Sequence, residues 1–259
     1  MTKKKIIPLR KFGLRILVIC FWLLVWEIAS RIMNEDILLV SPFTVVQTIF
    51  TLAGQNTFWQ TIGFSFIRIV LGFLLALMTG TLVAVLSYNN HLLKELITPL
   101  MRVIKATPVA SFIILALIWI QSKNLSVFIS YLMVLPIVYS NVYQGLVVAD
   151  KKLLEMAKVF HLGRYKKIVA IYVPSVMPYF ISAVSVGLGF CWKAGIAAEV
   201  IGKPSNSIGK YLYESKLYLM TDELFAWTVV IIIISVLFEK IIMYLLKPLQ
   251  TVTKENTHT

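Results

Sequence analysis

Six long apolar stretches alternate along the chain with short polar ones, at about 14–33, 58–87, 99–121, 125–148, 170–198 and 225–246. Each is near or above the roughly 20 residues that an α-helix needs to cross a bilayer. The pattern predicts an all-α polytopic membrane protein of about six transmembrane helices. Two stretches carry small residues every fourth position: Gly72, Ala76, Gly80 and Ala84 in the second, and Ala183, Gly187, Cys191 and Gly195 in the fifth. Such ladders let helix backbones approach closely in lipid, and they place these two helices centrally. Pro108 and Pro136 fall inside the third and fourth stretches and are expected to kink them, because each removes a backbone donor.

Composition supports the bilayer reading. Of 259 residues, 59% are hydrophobic and 14% charged, with a mean hydropathy of +0.83. A soluble domain carries about 25% charged residues and could not bury this much apolar surface. No linker or low-complexity segment interrupts the chain. A single transmembrane domain over 1–259 is expected, with a core at about 58–247, a basic N-terminus at 1–13, a cytoplasmic segment at 149–167 and a tail at 248–259. The run from Leu14 to Met33 follows Lys3, Lys4, Lys5, Arg10 and Lys11 as in a signal peptide, but it is long and lacks a small-residue cleavage site, so it reads as an uncleaved first helix.

The net charge of +13 first suggests nucleic acid, but its distribution suggests membrane topology instead. With the N-terminus in the cytoplasm, 18 of the 25 Lys and Arg fall on the cytoplasmic side and five outside, and Arg68 and Lys193 lie within spans. This bias predicts both termini inside. A charge within a span is costly, by roughly 3 kcal/mol on insertion scales, and needs a partner or a purpose. For Arg68, Glu27 in the first span is the favoured partner, and Glu199 is the other carboxylate within reach. Lys193 lies on a stripe with Ser185, Gly189 and Ala197, opposite the ladder. Either it snorkels or pairs with a carboxylate, or it lines a path and attracts an anionic solute. Lys193, Ser185, Gly189, Glu199 and Arg68 are therefore the candidate translocation-path residues. No catalytic or metal cluster is apparent: His91, His161 and His258 are scattered, and Cys20 and Cys191 stand alone in apolar stretches. Without a G-x-x-x-x-G-K-[ST] phosphate loop, the chain has no such route to ATP hydrolysis. An ion-gradient transporter or channel is the alternative, but it would usually carry paired acids within its spans.

The most informative segment is Asp150–Pro178, DKKLLEMAKVFHLGRYKKIVAIYVPSVMP. Asp150 is a good helix N-cap. Leu153, Leu154, Ala157 and Phe160 follow at helical spacing, with Lys151, Lys152 and Lys158 on the polar side. Such a helix fits either a groove on a partner protein or the headgroup layer.

This segment resembles the cytoplasmic EAA motif of permeases in binding-protein-dependent ABC importers: Glu-Ala-Ala, three residues, Gly, nine residues, Ile, one residue, Leu-Pro. Glu155, Met156 and Ala157 open it, His161 stands at the glycine, and Ile171, Val173 and Pro174 close it. Met156, His161 and Val173 depart from the pattern. At His161 the motif's Gly would permit a positive φ, and Gly163 is expected to take over that role. The resemblance extends over about 38–247 and is closest to the nitrate, sulfonate, taurine and bicarbonate branch. It runs through Ser41-Pro42, Ser65-Phe66-Ile67-Arg68, Gly72-Phe73, Thr107-Pro108-Val109-Ala110, Leu135-Pro136-Ile137-Val138 with Asn141, Pro178-Tyr179, Ala198-Glu199 with Gly202, and Ser207-Ile208-Gly209. It implies a multi-pass permease subunit in the bacterial cytoplasmic membrane that pairs with a second copy, commonly as a homodimer. Two cytoplasmic ATPase subunits would bind ATP and Mg, leaving no cofactor in this chain, and an external binding protein would deliver the solute. ATPase coupling would fall to Leu153, Leu154, Glu155, Ala157, Phe160, His161 and Gly163. The branch handles small anions, and related permeases carry vitamin or pyrimidine precursors.

Overall fold

The computed structural model describes residues 8–255 except 34 and 36, and among them every regular element is a helix. Lys3, Lys4 and Lys5 of the expected basic N-terminus, and residues 256–259 of the expected tail, lie outside the described residues. Five helices are long and apolar enough to cross a membrane: α1 (Pro8–Met33), α3 (Asn56–Asn89), α6 (Ser122–Val147), α8 (Arg164–Gly202) and α10 (Thr221–Glu255). A bent pair, α4 (His91–Ala106) and α5 (Val109–Ala116), makes a sixth if counted as one span. The shorter helices are α2 (Pro42–Ala53), α7 (Lys151–Val159) and α9 (Ile208–Leu217).

The third predicted span is where sequence and structure part. Pro108 does more than kink it, since α4 and α5 meet at 105°. Thr107 donates to the Val103 carbonyl at 3.0 Å, closing α4, and then turns extended (φ −75°, ψ 128°), as a residue before proline prefers. Pro108 in turn accepts from Phe112 at 3.1 Å to open α5. At Pro136, by contrast, α6 runs on unbroken. Near the start of α8, Ile168–Tyr172 form one π turn, a wider coil of the kind that recurs at functional sites.

The chain divides into two compact units. The first comprises Met1–Trp59 and Tyr211–Val230. In it, Ser41 caps α2 by accepting from Thr44 N–H, and the Trp26 indole donates to the Val40 carbonyl at 3.0 Å. Val40, Val45 and Ala226 form its apolar centre, and Trp227 packs between Phe58 and Tyr211. Most of α1 is exposed apolar surface, as suits a helix facing lipid.

The second unit comprises Gln60–Lys210 and Ile231–Thr259. The α3 and α8 ladders both close on a third helix, α6, which has the largest buried share among the spans. A Cβ at Gly72 would run into the Val127 carbonyl, and one at Gly195 would meet Ser130 Oγ at 2.6 Å and Ile69 at 2.7 Å. Ala76, Ala84, Ala183 and Cys191 are fully buried on the same ladders, and Ser130 Oγ donates to the Cys191 carbonyl at 3.1 Å. The two ladder helices thus flank the most buried helix, which carries no ladder of its own.

Gly72 and Gly63 share α3, yet a Cβ at Gly63 meets nothing within 4 Å. Gly63→Ala should be neutral or stabilising by up to about 1 kcal/mol. Gly72→Ala should cost about 1–3 kcal/mol by forcing α3 from α6. Thermal unfolding of the purified variants separates the two, and equal stability would show that close packing at Gly72 is unimportant.

Candidate functional site

The segment between α6 and α8 builds from its caps. Asp150 accepts from Lys152 N–H at 2.8 Å and starts α7. At its far end, Leu162 N–H bonds the Ala157 carbonyl at 2.9 Å and His161 N–H the Lys158 carbonyl at 3.0 Å. These two bonds form a Schellman motif, whose left-handed residue is His161 with φ 50°. Gly163 does not take over the turn, because it is extended at φ −59°, ψ 155°. The position at which the resemblance expects a glycine is thus the left-handed cap of α7, occupied here by a histidine.

α7 turns its apolar residues in two directions. Ala157 is 1% exposed and packs with Ala149 and Ile171, with Leu154, Leu162 and Tyr172 around them. Leu153, Met156 and Phe160 are 44%, 56% and 68% exposed. They stand three and four residues apart, which makes one uncovered stripe. Glu155, His161 and Gly163 are also exposed. Of the predicted coupling residues, then, Leu154 and Ala157 are used inside the chain, while Leu153 and Phe160 remain open. Met156, a departure from the pattern in the sequence, belongs to this stripe, which the shared helical face of 153, 156 and 160 could have signalled.

The predicted path residues separate into two groups. Arg68 pairs with Glu199, not with Glu27: Nη1 lies 3.8 Å from Oε1. Glu27 is taken by Arg31 at 2.7 Å, one turn along the same helix, a geometry that satisfies both locally. Glu199 is fully buried, and its Oε2 accepts from Ser65 Oγ at 2.7 Å and from Gly209 N–H at 3.3 Å. Ser65 Oγ accepts from Ile208 N–H at 2.9 Å, and Arg68 also reaches the Ser205 carbonyl and the Phe64 ring. A Cβ at Gly209 would collide with Glu199, so only glycine lets α9 start against α8. This network joins α3, α8 and α9. Ser65 is three residues from Arg68, a spacing that could have marked both as one polar face.

The second group is open. Lys193 and Gly189 are exposed and Ser185 is half-buried. Lys193 and Gly189 line a cleft of about 360 Å³ with Leu188, Trp192 and Ile196 on α8 and with Ser235 and Glu239 on α10. Among the described residues no group of acids, histidines and cysteines could hold a metal.

Together these features define an all-helical, multi-pass membrane protein with a short capped helix between two of its spans. Residues 68–250 match the family described as binding-protein-dependent transport system inner membrane component, and the chain belongs to that family. It is a permease subunit of the ABC importer class, a multi-pass protein of the bacterial inner membrane, in the nitrate, sulfonate, taurine and bicarbonate branch. It is similar to the taurine transport system permease protein TauC of Escherichia coli (strain K12), 23% identical over 220 residues, covering 83% of this chain and 80% of TauC. The nitrate import permease protein NrtB of Synechococcus elongatus is 25% identical over 211 residues, covering 76% of this chain and 75% of NrtB. The bicarbonate transport system permease protein CmpB of the same species is 24% identical over 162 residues, covering 62% of this chain and 58% of CmpB.

His161→Gly removes the left-handed side-chain cost and should leave stability unchanged or raise it by about 1 kcal/mol, whereas His161→Val should lose about 1–2 kcal/mol. Thermal unfolding of the two purified variants checks the order. A more stable valine variant would contradict the capping account.

Proposed function

We propose that this permease forms the translocation path for a small solute bearing an acid group, of the kind its relatives are named for, working as a homodimer. A separate external binding protein would deliver the solute, and two partner ATPase subunits would bind ATP and Mg and carry out hydrolysis. The observation that carries the reading is α7, a capped helix with Leu153, Met156 and Phe160 uncovered on one stripe. An exposed apolar stripe at i, i+3 and i+7 suits a hydrophobic groove on a protein partner. Val159, beside it, is exposed as well. Lys151, Lys152 and Lys158 flank the stripe and would meet acidic groups at the groove rim. Leu154 and Ala157 hold the helix to its own chain, so movement of α7 would pass into Ile171 and the π turn.

Met156→Asp and Phe160→Asp should each weaken ATPase binding by about 2 kcal/mol, some thirtyfold, and abolish transport while membrane insertion survives. Ala157→Arg should instead lower the permease's own thermal stability. Pull-down of the ATPase with full transport by either Asp variant would overturn the docking reading.

The charge bias further supports both termini in the cytoplasm. In a cysteine-free background, a cysteine at Asn206 should react with an impermeant reagent in intact cells. One at Thr257 should react only after permeabilisation, and the reverse order would invert the topology.

A further inference from the structure

Lys193 and Glu239 line one cleft between α8 and α10, yet among the described residues they form no ion pair with each other or with any other side chain. Each lies within a candidate span, where an unpartnered charge is costly. Gly189, four residues before Lys193 on α8, adds no side chain to the lining, and a Cβ there would meet nothing within 4 Å. Ser235 adds a hydroxyl to the lining. Trp192, 3% exposed, is part of the same lining, and its buried indole N–H has no hydrogen-bond partner. The volume of about 360 Å³ falls within the size of small-molecule sites.

We propose that this cleft binds a zwitterion, an ammonium and an acid group on a short spacer. Lys193 takes the sulfonate, phosphate or carboxylate, and Glu239 takes the ammonium. A simple anion satisfies Lys193 but leaves Glu239 uncompensated and repelled, and a simple cation does the converse. Only a molecule carrying both charges pairs both groups at once. Two sources share this chemistry, a free aminosulfonate or amino acid and the phosphoethanolamine headgroup of a lipid. In transport the inference rests on the permease reading and narrows its solute class, but the binding test below stands apart from ATPase coupling.

The full-length chain is placed in nanodiscs made only of phosphatidylglycerol. Isothermal titration with taurine and with ethanesulfonate, which lacks the ammonium, probes the soluble source. Native mass spectrometry after exchange with phosphatidylethanolamine or more phosphatidylglycerol probes the lipid source. We expect at least a tenfold preference for the zwitterion in one arm. Glu239→Gln should abolish that preference, Lys193→Met should weaken both members of the pair, and Lys240→Gln, next door but outside the cleft, should change neither. Absence of preference in both arms, or its persistence in Glu239→Gln, overturns the proposal.

Discussion

Close approach of two helices to a third is the constraint on which the second unit depends. Lipid tails are as apolar as leucine, so burying apolar side chains between helices gives little drive inside a bilayer. What remains is dispersion between surfaces that fit, and fit requires small residues. At Gly72 against the Val127 carbonyl and at Gly195 against Ser130 and Ile69, there is no room for a Cβ. Because α6 lies in both contacts, its own residues can be large: Leu125, Ile129, Val134 and Val138 fill the space the glycines open. Over this stretch the division of labour is steric, with flat faces on two helices and bulk on the one between, and farther along α6 supplies a close approach of its own at Gly145, where a Cβ would meet Val176 Cα.

That packing also makes a buried carboxylate tolerable. Glu199 lies on α8 close to where the ladder brings α8 toward α3, so Ser65 and Arg68 reach it from α3 while Gly209 donates from α9. A buried charge costs several kcal/mol unless paired and hydrogen-bonded, and a buried pair is weak evidence of added stability. Its value here is geometric. The network fixes where α9 begins, and Gly209 sits so close to Glu199 that no other residue fits.

Sequence alone revealed what depends on local pattern. The spans followed from hydropathy, the close faces from a four-residue repeat of small side chains, and α7 from Asp150 and its apolar spacing. What depends on three-dimensional placement stayed hidden. Glu27 and Glu199 both seemed within reach of Arg68, but a carboxylate four residues from Arg31 on one helix is satisfied locally, a pairing that spacing did signal. Proline at 108 broke its span whereas proline at 136 did not. The difference lies in the neighbours: Thr107 takes up an extended backbone, while the residues around Pro136 are held in the most buried helix.

The departures from the motif in α7 make sense once its faces are separated. Ala157 keeps the small residue because it packs against Ala149 and Ile171, and a larger side chain would push α7 off its own chain. Met156, one residue earlier, points the other way, so bulk there costs the permease nothing and adds a flexible apolar side chain to the uncovered stripe. His161 likewise preserves the backbone geometry, not the residue type: the two cap bonds are made, and the imidazole stands exposed just past the stripe. The inward face of α7 is therefore constrained by the fold of this chain, and its outward face is not. Two departures that look like damage to a pattern fall where the permease itself bears little or none of their cost.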